Sequence, residues 1–193
     1  METVMTKILI ADLSDGYTQA DNLSIDDDAF WNLLTCKSLK PGFPETTIAI
    51  RSESPPTDYF EVGSMIVVSQ RLKQLLENVQ AKAEFFKLNV QSDREDFAGI
   101  EYYCCNVLEC VDCIDYSRSK LTFHTKPGFT DRIDGIQELA IDEAIAAPHV
   151  LFRIAKGAEY IVCVNADLAN SLTQGGFSGC KCIAPEEWYF GCV

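Results

Sequence analysis

Residues 66–80, IVVSQRLKQLLENVQ, run from three apolar residues through a serine into leucines at helical spacing. Ile66, Val67 and Val68 read as a short buried strand. Ser69 is placed to cap a helix by accepting a hydrogen bond from a free backbone N–H two or three residues on. Leu72, Leu75, Leu76 and Val79 then define one apolar helix face. AEFFKLNV returns to strand. The same script recurs at 162–176, VCVNADLANSLTQGG, offset by 96 residues. Val164 answers Val68, Asn165 answers Ser69 as cap, Leu168 and Leu172 answer Leu72 and Leu76, and Cys182 answers Phe86. Gly175 and Gly176 stop the second helix. Only three of the 21 aligned positions are identical. The agreement is one of pattern, which an internal duplication and a chance recurrence of a common unit both explain. Duplicated units would pack as related halves.

The rest of the chain supplies more strands than helices. KILIADL (7–13) reads as a first strand and SIDDDAFWNLLT (24–35) as a helix. Ser24 is its expected N-cap, and Asp26, Asp27 and Asp28 lie in the first turn, where the helix dipole favours negative charge. Phe30, Trp31, Leu33 and Leu34 supply its apolar face, which turns Trp31 toward the core. KPGFPE and ESPPTD are loops around the strand TTIAIRS, because adjacent prolines cannot join a central strand. The stretch 100–123 has the β-branched and aromatic content of long strands, and its apolar run from Tyr102 to Leu108 predicts burial on both faces. Pro127-Gly128 marks a turn. IQELAIDEAIAAPHVLFRI reads as strand, short helix and strand, and PEEW (185–188) as a solvated terminal segment. The expected fold class is α+β: mixed β-sheets with short packed helices, in one domain over 1–193.

Charge narrows the partners. The net charge is −13, carried by the ends: residues 1–60 hold 10 acidic and 4 basic side chains, 61–130 hold 10 and 8, and 131–193 hold 9 and 4. No basic stripe is present to displace counterions from nucleic-acid phosphates. An acidic field favours solubility and fast capture of a cationic partner. No apolar run approaches the ~18 residues of a membrane span, and the N-terminus lacks the charged lead and cleavage site of a secretion signal. The expected location is cytoplasmic. In that reducing setting the nine cysteines read as small buried thiols in strands rather than a disulfide framework.

A search for chemistry returns no catalytic, cofactor or metal residues. CVDC (110–113) lies in a strand-like run, where residues three apart point to opposite faces, and Cys180 with Cys182 gives two sulfurs without completing a zinc tetrahedron. GGFSGC (175–180) fails the nucleophile-elbow frame, since Cys180 stands at the last glycine position. His124 and His149 have no ligand-like spacing. No phosphate-cradling glycine loop occurs.

Three stretches carry a resemblance to a known family. They are VVSQRLKQLLE; YYCCNVLECVDCIDYSRS, with Asn106, Val111, Asp112, Asp115 and Ser119; and HVLFRI with YIVCVNADLANSLTQGGFSGCKC. Over residues 55–185 the chain resembles a bacterial immunity-protein family, number eleven in the polymorphic-toxin naming, with residues 1–54 outside the likeness. The resemblance implies a protein made beside a toxin that binds and blocks it, without catalysis or cofactor. A cationic toxin protein is the expected partner, with no role for nucleic acid or membrane. Asp26, Asp27, Asp28 and Trp31 are the candidate contact residues. Two alternatives belong to other classes: a small cysteine-dependent hydrolase or transferase, and a non-catalytic regulatory subunit.

Overall fold

The computed structural model describes residues 5–13, 17–22, 24–25, 27–51 and 53–189. In chain order the elements are β1 (Lys7–Ala11), β2 (Ala20–Asn22), α1 (Asp27–Asn32), β3 (Thr46–Ile50), β4 (Tyr59–Val62), β5 (Met65–Ser69), α2 (Gln70–Asn78) and β6 (Ala83–Gln91). After them come β7 (Tyr102–Val107), β8 (Cys110–Val111), β9 (Lys120–Phe123), β10 (Ile133–Glu138), α3 (Glu143–Ala146), β11 (Leu151–Ile154), β12 (Val162–Val164), α4 (Ala166–Gln174) and β13 (Cys180–Ile183). The strands form a six-stranded sheet, β2-β3-β6-β7-β5-β4, a five-stranded sheet, β13-β1-β12-β11-β8, and the ribbon β10-β9. The fold is α+β with mixed sheets and short helices.

The two capped helices sit in equivalent places. In one unit, β5 and β6 flank β7 and both run antiparallel to it. In the other, β12 and β13 flank β1 in the same sense. Each unit is thus a strand–helix–strand crossover with a third strand inserted between the two it connects. The inserted strand follows its unit in one case and is the first strand of the chain in the other. Ser69 and Asn165 have matching extended backbones, and each side chain accepts from the N–H three residues on, Leu72 N at 3.2 Å and Leu168 N at 2.9 Å.

Register corrects the expected alignment at one point. Val68 pairs with Tyr103 and Val164 with Lys7, so Leu9 stands where Cys105 does. Cys105 pairs with Phe85, but Leu9 pairs with Cys182. Cys182 therefore takes the place of Phe85, and Ile183 that of Phe86. The second helix-to-strand connection is one residue longer. Side-chain alternation agrees, since a one-residue slip would exchange the faces: Phe85 and Cys182 pack on one core, whereas Phe86 and Ile183 pack on the outer ones.

That shared core lies between the two large sheets. Leu9, Ile66, Val68, Cys105, Leu151, Val162 and Val164 meet both helices there through Leu72, Leu76, Leu168 and Leu172. The intervening positions face outward into two further clusters, Met65, Val67 and Cys104 in one, Ile8, Phe152 and Cys163 in the other. Three apolar layers around two sheets explain why β5, β11 and β12 are buried at every residue, and β7 at all but one. The halves are also joined by polar contacts. Arg71 stacks on Phe177 and donates to the Gly175 and Gly176 carbonyls at the end of α4, where the helix dipole favours a cation. Its ion-pair partner Asp58 also accepts from Ser69 and Ser178.

Cysteine placement follows the layers. Cys104, Cys105, Cys113 and Cys163 are buried, Cys36, Cys180 and Cys182 half-buried, and Cys110 exposed. PEEW is not solvated throughout. Trp188 is 4% exposed against the outer cluster and packs on Tyr160, because a short turn over Pro185–Glu187 folds the tail back onto β11 and β12's outer face. Among the described residues no helix is long and apolar enough to cross a membrane.

Candidate partner-binding site

Helix α1 is shorter than the sequence suggests. It spans Asp27–Asn32, and the Ser24 hydroxyl accepts from Thr47 N in β3 at 2.7 Å. After Asn32 the chain closes in i→i+3 turns, Leu33 N to Phe30 O, Leu34 N to Trp31 O and Thr35 N to Asn32 O. Ala29, Phe30 and Leu33 take the stripe facing the sheet, with Leu33 1% exposed. Phe30 lies over Gly63, where a Cβ would come within 2.4 Å of the ring and where φ is +58°. Trp31 is a helical step of about 100° beyond Phe30, so it points away. It is 69% exposed, contrary to the core orientation expected from its apolar neighbours. Asp28 is exposed as well. Asp26 and the Asp27 side chain lie outside the described residues.

Trp31 stands at the rim of a cleft of about 510 Å³. One wall is Leu34, Thr35 and Lys37; the other is Arg132, Gly157, Glu159 and Tyr160, with Cys110 on β8, the edge strand of the five-stranded sheet. Each wall is held by polar contacts. Glu84 on β6 is 7% exposed and accepts from Ser38 Oγ at 2.6 Å, Leu39 N at 2.8 Å and Asn106 Nδ2 at 3.1 Å. Asn106 also donates to Lys37 O at 2.9 Å. Burial alone would raise the Glu84 carboxyl, but these donors outweigh it and hold the group below the usual carboxylate range, the expected effect of hydrogen bonds to the charged form.

The opposite wall is a tight turn, with φ of +62° at Lys156 and +101° at Gly157. A Cβ on Gly157 would meet Ile133 O at 2.5 Å, so only glycine lets the turn approach β10. Glu159 accepts from Gly157 N at 3.0 Å and Arg132 Nη2 at 3.0 Å. Its backbone oxygen accepts from Arg153 Nη1 at 2.8 Å. Arg153 is 2% exposed, and its Nε and Nη2 make no hydrogen bond among the described residues. Its neighbour in register is Cys110. A buried guanidinium is therefore set directly behind the cleft wall.

Cys110 has the thiol of Cys36 as a neighbour, and the Cys36 backbone has φ of +55°. The neighbouring thiol is the largest influence on each: it lowers Cys110, against burial and Glu159 and with smaller help from Arg153 and Arg132, and together with burial it raises Cys36. The histidines are engaged elsewhere: His149 Nδ1 lies 3.1 Å from Glu109 and His124 Nδ1 3.2 Å from Asp134. Among the described residues no three potential metal ligands converge. Glu84, Arg153 and the thiol pair were not signalled by local motifs.

Of the polar residues behind the family resemblance, Asp112 holds side chains, whereas Asp115 and Ser119 hold backbone. Asp112 takes the Tyr116 hydroxyl at 2.6 Å and Lys156 at 2.7 Å. Asp115 accepts from the Ser117 and Arg118 N–H groups, and Ser119 exchanges hydrogen bonds with Ala140. Asn106 reaches the cleft wall by donating to Lys37 O. Residues 21–185 match the immunity protein family (Imm11). The chain belongs to that family, and the match takes in the α1 region that forms the cleft rim. Comparison with curated proteins gives no match.

Proposed function

We propose that this chain binds a cognate bacterial toxin and neutralises it by occlusion, with Trp31 and the cleft beside it at the centre of the contact. The observation that carries the reading is membership of an immunity family across residues 21–185. The site supports it in three ways. Trp31 offers a large, largely exposed aromatic surface next to a concavity, and tryptophan is enriched among residues that dominate interface energy. The walls are fixed by buried hydrogen bonds, so little ordering is required on binding. The net charge of −13 favours rapid encounter with a cationic toxin. Exposed Asp28 precedes Trp31 on the same helix, and the acidic run Asp26, Asp27 and Asp28 in the sequence contributes mainly to that attraction. The protein acts in the cytoplasm and makes or breaks no bond in its toxin.

Co-expression with the toxin encoded beside it tests the proposal. Wild-type protein is expected to restore growth and to co-purify with the toxin as one complex, whose association slows as salt rises. Growth restored without any complex would refute occlusion.

A further inference from the structure

Eight thiols are described, and one pair differs from the rest. Cys104 and Cys105 are adjacent in β7 and face different cores. Cys113 and Cys163 are buried in an outer cluster, and burial raises both thiols. Cys180 and Cys182 are half-buried against the central core, with thiols raised to about 12 and about 11. Cys110 is exposed, adjoins Arg153 in register, and lines the cleft with Thr35 and Lys37, the residues flanking its neighbour Cys36. The two belong to different segments, Cys36 to the turn after α1 and Cys110 to β8.

We infer that Cys36 and Cys110 form an oxidant-sensitive dithiol site, closed to a disulfide across the cleft wall by a hydroperoxide. Three features suit this chemistry. A thiolate beside cations is the reactive form, and Cys110 has Arg153 as its neighbour. Cys110 is open to solvent while Cys36, between the cleft-lining Thr35 and Lys37, is the neighbouring thiol placed to resolve it. Among the described residues the histidines pair with Glu109 and Asp134 rather than with either sulfur, so the arrangement lacks the base of a hydrolytic dyad. In the first step the Cys110 thiolate attacks the peroxide, the O–O bond breaks, and Cys110 becomes a sulfenic acid as water or an alcohol leaves. Cys36 then attacks the sulfenyl sulfur, the S–S bond forms, and hydroxide departs with the Cys36 proton as water. Two electrons pass from the sulfurs to the peroxide. The bond would tie the Thr35–Lys37 segment to β8. This site does not depend on the toxin-binding reading.

The test treats the folded protein with hydrogen peroxide, followed by thiol titration and peptide mass mapping. The expected result is loss of two titratable thiols, a Cys36–Cys110 linked peptide and full recovery with dithiothreitol. Cys36→Ser should leave Cys110 as a sulfenic acid that dimedone traps, and Cys110→Ser should abolish both products. Circular dichroism before and after confirms that the fold is intact. Peroxide-treated protein that keeps both thiols alkylatable, or that links Cys110 to another cysteine, would overturn the inference.

Discussion

At the residue scale, the cleft rests on Glu84. Its carboxylate accepts three donors in a buried setting, so its loss leaves Ser38, Leu39 and Asn106 short of a partner. Glu84→Gln is expected to destabilise the protein by about 1–3 kcal/mol in urea denaturation. The carboxyl is held below its ordinary value in the folded state. Its contribution is therefore fully present above the unfolded-state pKa and is lost as pH falls through the folded one. The wild type should lose stability below about pH 4.3, the ordinary glutamate value, and the variant should lose less over that range. Trp31 behaves oppositely. Because it is exposed, Trp31→Ala should change stability by no more than about 0.5 kcal/mol while weakening toxin binding at least about tenfold, as loss of an interface anchor does.

At the scale of elements, the capped helices were legible because their signals are local: a cap, a leucine stripe and a glycine stop. Asn165→Ala should cost about 1 kcal/mol through loss of the cap. Ser69→Ala should cost more, about 2 kcal/mol, because the same hydroxyl also donates to Asp58 at 2.7 Å. Thermal denaturation of the two variants measures the difference. Other features were hidden for the same physical reason that the caps were visible. The orientation of Trp31 depends on which neighbour reaches the sheet first, and Phe30 over Gly63 decides it. The extra residue before β13 shows only in strand register. The cleft joins segments near residues 31–37, 110, 132 and 157–160, and its support Glu84 has no sequence signature because its partners Ser38, Leu39 and Asn106 are far along the chain.

At the scale of the molecule, both halves share one core through Leu72, Leu76, Leu168 and Leu172, so neither half buries its helix alone. Leu72→Ala and Leu168→Ala should each cost about 2–5 kcal/mol and shift one common transition. Far-ultraviolet circular dichroism and Trp188 fluorescence, recorded in a Trp31→Phe background, should give coincident curves. The same rigidity underlies the proposed action: a fixed acidic body presents an aromatic rim and a formed cleft to another protein. The most direct measurement is calorimetric titration of the purified toxin with wild-type protein and with Trp31→Ala. The account predicts a one-to-one complex for the wild type and at least roughly tenfold weaker binding by a variant that melts at the same temperature. Equal affinity for the two proteins would contradict the placement of the contact, and an active toxin that binds neither would contradict the function.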